Sequence, residues 1–225
     1  MYNCYGVKEV IFMTLVYEMI NLSMIFFVIG NSALAAISFI MYLKSKDSYL
    51  LNYMLSFLFL ALGQFFLMLS TYHLSPIWLI FFSFFTFFSV FYLLKGVVRF
   101  LKLKTGHSIY LLPFFFVVSF VIIGLTSPTE QSFQIQLYFI TGFIYLITAY
   151  LLLKTRDAFY RLVGIGFFLI SVINYLYPFS QVRLELLLFL LFLLTSVGAM
   201  SYIGLLGIHF MKNIKFLLRK IKKYT

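Results

Sequence analysis

Pro76–Leu94 reads PIWLIFFSFFTFFSVFYLL, nineteen residues without a charge, ending one position before Lys95. The hydrocarbon core of a bilayer is about 30 Å thick and takes about 20 mostly apolar helical residues to cross. This stretch meets that length and sets the pattern for the rest of the chain. Six further stretches qualify on either side of it, near Leu22–Leu43, Leu50–Ser70, Ile109–Leu125, Ile135–Leu153, Leu162–Tyr177 and Leu186–Met211. The breaks between them are short and polar, such as Lys44-Ser45-Lys46-Asp47 and Ser127-Pro128-Thr129, and none could hold a separate soluble domain. Composition points the same way. Hydrophobic residues make up 64% of the 225-residue chain and charged residues 10%, where a soluble domain carries roughly 25%. Mean hydropathy is +1.06. The expected fold class is therefore all-α, a polytopic membrane protein of seven transmembrane helices.

The charges that remain are lopsided, with 17 Lys and Arg against 6 Asp and Glu. In so apolar a chain the excess reads as membrane orientation rather than nucleic-acid binding, because basic residues accumulate on the cytoplasmic side. Alternating loops place fifteen basic residues on one side and only Lys8 and Arg183 on the other. Glu9, Glu18, Glu130 and Glu185 fall on the poorer side. The expectation is an extracellular N-terminus, a cytoplasmic C-terminus and a cell-membrane location. Residues 1–21 form an outer segment, either interfacial or an extension of the first span. Residues 212–225 form a tail in which Ile214, Leu217, Leu218 and Ile221 keep helical spacing among Lys215, Arg219, Lys220, Lys222 and Lys223. Such a basic amphipathic helix suits an anionic inner leaflet.

A shift of 110 residues lays the first three spans on the last three without a gap. Leu43-Lys44-Ser45-Lys46-Asp47-Ser48-Tyr49 falls on Leu153-Lys154-Thr155-Arg156-Asp157-Ala158-Phe159. The same shift places Gln64 on Asn174. The implied plan is a duplicated three-helix unit (about 22–104 and 132–214) joined by a linker helix at 109–125. An odd linker keeps both halves in one orientation, related by an axis along the membrane normal. The two hinges set Lys44, Lys46, Lys154 and Arg156 against lipid phosphates, while Asp47 and Asp157 are placed to cap the helices that follow.

Ionisable groups at membrane depth mark function, and the central parts of the seven spans carry none. What they carry is neutral: Asn31, Gln64, Asn174 and hydroxyls including Thr86 and Ser196. These five are the candidate ligand contacts, with Gln64 and Asn174 foremost because the repeat pairs them. Interhelical hydrogen bonding is the competing role for all five. Neither metal nor cofactor is expected. Cys4 is the single cysteine, and His73, His107 and His209 fall at different levels, whereas a metal or haem site needs its ligands at one depth. No catalytic set is visible; Glu130 and Glu185 on the outer rim are the nearest thing to paired carboxylates.

Seven spans with an outside N-terminus resemble rhodopsins and G-protein-coupled receptors in topology. A retinal Schiff base is excluded, because Leu186–Met211 contains no lysine. The three-one-three plan is similar to that of small sugar transporters and PQ-loop proteins, without their helix prolines. Lys154–Asp157 followed by the apolar run from Gly164 to Leu176 looks like the inter-helix pattern of prokaryotic seven-helix sensor modules. That resemblance implies a non-enzymatic sensor, receptor-like protein or accessory subunit, binding an apolar ligand or partner transmembrane helices. With no kinase, PAS or cyclase domain in the sequence, its output would lie in a separate protein. The rival reading is a facilitative transporter for a small neutral solute, and the third a lipid-modifying enzyme acting through Glu130 and Glu185.

Overall fold

The computed structural model describes residues 4–72, 76–103, 111–126, 129–176, 197 and 200–207. Among these the regular structure is all helical: α1 (Cys4–Ser45), α2 (Ser48–Tyr72), α3 (Pro76–Phe100), α4 (Leu111–Thr126), α5 (Glu130–Leu153) and α6 (Ala158–Leu176). Residues 197 and 200–207, in the seventh expected span, are helical as well. Five helices are long and apolar enough to cross a membrane, over Met24–Ser45, Ser48–Ser70, Ile77–Phe100, Ser132–Leu153 and Ala158–Leu176.

One element is longer than its expected span. α1 runs unbroken for 42 residues from Cys4, which matches the second of the two readings of residues 1–21, an extension of the first span. No proline interrupts residues 4–45, so nothing forces the backbone off its i→i−4 ladder. α4 has 16 residues, about 24 Å of helix, close to the expected Ile109–Leu125, and its apolar part is Leu111–Ile123.

The helices pack largely in chain order. α1 lies on α2, α2 on α3, α3 on α5 and α5 on α6, with α4 outside against α5 and α3. Residues 200–207 reach α2, α5 and α6 through Tyr202, which contacts Phe57, Tyr145 and Phe167. The α2–α3 seam is lined on its outer side by a run of stacked rings. Phe66 stacks on Trp78 at 5.8 Å, on Phe81 at 5.1 Å and on Phe85 at 5.3 Å. The run continues through Phe59 and Phe88 to Tyr92. Offset rings at these separations add attraction beyond the area they bury.

The two hinges close differently. At the first, Lys46 takes a left-handed conformation (φ 59°) and its N–H bonds Tyr42 O at 2.7 Å, an αL C-cap made without glycine. The Asp47 carboxylate accepts from the Tyr49 hydroxyl at 3.3 Å. At the second, Asp157 Oδ1 accepts from the Phe159 N–H at 2.9 Å, a direct N-cap of α6. Asp157→Ala is therefore expected to cost about 1 kcal/mol in detergent unfolding. Asp47→Ala should cost less, since its carboxylate is spent on a side chain rather than a helix end.

Candidate functional site

Hydroxyls from four helices meet inside the bundle. Ser56 on α2 and Ser89 on α3 lie 3.5 Å apart, Oγ to Oγ, and both are fully buried. Tyr145 on α5 and Tyr202 share a hydroxyl–hydroxyl hydrogen bond of 2.9 Å. The Tyr202 hydroxyl lies near the side chains of Ser56 and Ser89. Ser56 lies eight residues beyond the start of α2 and Tyr145 eight before the end of α5. At 1.5 Å per residue the junction therefore lies about 12 Å from the hinge-side ends of both helices.

Aromatic rings seal the junction. Phe57 and Phe167, which the 110-residue shift superposes, both contact the Tyr202 ring, at 5.2 and 5.5 Å. Tyr145 stacks on Phe167 at 5.9 Å. Nearer the hinges a second layer joins Tyr49 to Tyr53 (5.9 Å) and Phe100 (5.2 Å), and Phe100 to Tyr160 (5.6 Å). The Tyr53 ring packs so closely on α3 that a methyl group at Gly96 would sit 2.4 Å from its Cε1. Among the described residues, the buried Asn52 Nδ2 and Tyr53 hydroxyl have no hydrogen-bond partner.

The residues expected from sequence occupy separate seams. Asn174 is buried between α6 and α5, donating to Ile170 O at 2.8 Å and accepting from Thr141 Oγ1 at 3.4 Å. Ser171 reinforces the seam by donating to Gly142 O at 2.8 Å. Asn31 is buried on α1 and donates to Phe27 O in its own helix. Thr86 Oγ1 is buried where α3 meets α2, without a hydrogen-bond partner among the described residues, and a methyl group at Gly63 would lie 2.9 Å from it. Gln64, next to Gly63, is half-buried. Asn174 thus bonds within its own half rather than to Gln64, and α2 and α6 are not among the helix pairs that pack along their lengths.

Of the outer-rim residues, Thr129 is the N-cap of α5, its Oγ1 accepting from Ser132 N at 3.2 Å, and Glu130 opens that helix. Ser196, Glu185, the three histidines and the basic tail Lys215, Arg219, Lys220, Lys222 and Lys223 lie outside the described residues. Among the described residues, no three His, Cys, Asp or Glu side chains come together. At the hinges, Lys46 Nζ lies over the Tyr42 ring at 5.6 Å and Lys154 Nζ over the Tyr150 ring at 5.8 Å. Lys95 makes the same contact with Tyr92 at 5.6 Å.

Sequence reading missed the Ser56–Ser89–Tyr145–Tyr202 junction. The signal that points to it is the superposition of Phe57 on Phe167, which brackets Tyr202. No protein-family model matches the chain, and no curated protein or solved structure matches it.

Proposed function

We propose that the chain is a seven-span membrane protein with its N-terminus outside and C-terminus inside. It acts as a non-enzymatic sensor, receptor-like protein or accessory subunit that takes an apolar ligand or partner transmembrane helices. The observation that carries this reading is the four-helix hydroxyl junction. A ligand or partner that shifts one of α2, α3, α5 or the segment at 200–207 disturbs one buried cluster of hydroxyls to which all four contribute. Packed polar contacts of that kind have discrete arrangements, and a ligand selects among them. The orientation is supported by the Lys-over-Tyr contacts at the ends of α1, α3 and α5, which alternation puts on one side. Aromatic and basic side chains anchor helix ends at the interface in this way.

The repeat gains support from burial. Asn31, Ala35 and Ser38 are buried on α1, and so are their counterparts Thr141, Tyr145 and Thr148 on α5. Ser38 and Thr148 even make the same bond, to the carbonyl four residues back, at 2.8 and 2.9 Å. Phe57, Leu60 and Ala61 on α2 are matched by buried Phe167, Ile170 and Ser171 on α6. Two alike halves that rock against each other also suit a facilitative transporter, which is the second reading.

Native mass spectrometry of the tagged protein, ejected directly from its own membranes, separates the two. A stoichiometric protein partner supports the sensor or subunit; a protein carrying only a small neutral solute supports transport. Under either reading, Gln64→Leu combined with Asn174→Leu is expected to impair binding or assembly. Unchanged binding and assembly in that variant would leave both amides with structural roles alone.

A further inference from the structure

We propose that the seam between α4 and α5 is a binding site for a neutral lipid whose free hydroxyl donates to Gln136. This rests on the reading that the chain takes an apolar ligand, and it adds the ligand's class and place. Gln136 is 8% exposed, and its Nε2 donates to Ser119 Oγ across the seam. A serine hydroxyl has one hydrogen to give, and Ser119 gives it to Phe116 O at 3.0 Å. Ser119 can therefore only accept from the amide, which fixes the nitrogen end of Gln136 on α4. The oxygen end is left over: Oε1 is buried without a hydrogen-bond partner among the described residues. A buried acceptor left unpaired is costly, and an incoming donor recovers that cost.

Depth and surroundings select the donor. Gln136 lies six residues beyond Glu130, the charged residue that opens α5, about 9 Å along the helix. Between the amide and that end, the rings of Phe120 on α4 and Phe133 on α5 pack at 4.8 Å. Water from that side must pass the ring pair, whereas α4 lies outside the bundle, against α5 and α3, and lipid meets the seam from the side. Ile135, next to Gln136, is exposed, and so are Phe139, Phe143 and Leu146 at helical spacing below it. That stripe runs about 16 Å along α5, about half the thickness of the hydrocarbon core. It matches the acyl chain of one leaflet, with the polar end of the lipid at Gln136. Neither α4 nor α5 contains a Lys or Arg, and the near end of α5 carries Glu130. A phosphate or carboxylate headgroup would find no counter-charge on either helix, and burying an unpaired charge is far costlier than burying a hydroxyl. Diacylglycerol and long-chain alcohols are lipids of the required kind.

The test is native mass spectrometry of the protein released from nanodiscs doped with dioleoylglycerol or with its O-methyl ether, which keeps both acyl chains and loses the donor. One dioleoylglycerol per chain is expected to stay bound. The ether should be retained on the order of tenfold less, the worth of one hydrogen bond to a buried acceptor. Gln136→Leu, an apolar side chain of similar size, should bring dioleoylglycerol down to the level of the ether. Equal retention of the two lipids by the unmodified protein overturns the site while leaving the apolar-ligand reading in place. Undiminished retention of dioleoylglycerol by Gln136→Leu does the same. Retention of neither lipid overturns the site and leaves Oε1 to a trapped water; ejection from the protein's own membranes then decides whether any apolar ligand is bound.

Discussion

Tyr202→Ala is expected to lower bundle stability by about 3–5 kcal/mol, the cost of truncating a buried large aromatic. The side chain is 4% exposed and contacts the rings of Phe57 and Phe167 while bonding the Tyr145 hydroxyl. Removing it opens a cavity between α2, α5 and α6 and leaves the Tyr145 hydroxyl without its partner. Tyr202→Phe isolates the polar part. It keeps the ring contacts and gives up only hydrogen bonds, which average about 0.6 kcal/mol each between membrane helices. Equilibrium unfolding of both variants in mixed micelles checks the difference. A Tyr202→Ala protein as stable as the parent would mean that the segment at 200–207 does not seat in the bundle.

Gly96→Ala ranks second, with an expected loss of about 1–3 kcal/mol from overpacking. The added methyl would meet Cε1 and Cδ1 of Tyr53 at 2.4 and 2.5 Å. The ring cannot swing aside: it is 1% exposed and held edge-on by Tyr49. The strain must push α3 away from α2 at the hinge side. Tyr53→Leu in the same chain should recover most of the loss, because it removes the ring that the methyl strikes. Thermal unfolding of the single and double variants gives the coupling directly; additive losses would contradict the close approach.

The spanning helices were legible because twenty apolar residues in a row have few other uses, and the polar hinges at Lys44–Asp47 and Lys154–Asp157 mark their ends. The start of α1 was legible only in part, because residues 1–21 read either as an interfacial segment or as an extension of the first span. Glu18, Asn21 and Ser23 look like the polar edge of a membrane span, but polar residues do not stop a helix, and nothing in the sequence there does. The amides Gln64 and Asn174 stood out as rare polar groups in apolar helices. Their chemistry was legible but their partners were not, since a partner is set by helix rotation, and Asn174 turns toward Thr141. The junction was hidden for a related reason. Among 17 tyrosines and many serines, nothing local separates Tyr202 and Ser56 from the rest; only the packing of four distant segments does.

The stacked rings along α2 and α3 have a spectroscopic consequence. Trp78 is the only tryptophan in the chain, and its indole lies parallel to Phe66 at 5.8 Å, with Phe81 beside it. Tryptophan emission selected by red-edge excitation therefore reports on one corner of the molecule, where the start of α3 meets the end of α2. The hydroxyl junction lies well down the helices from that corner. A fluorescence melt will record the parting of α2 from α3 there and remain silent about any earlier loosening around Tyr202, so the two events can be timed separately within one unlabelled protein.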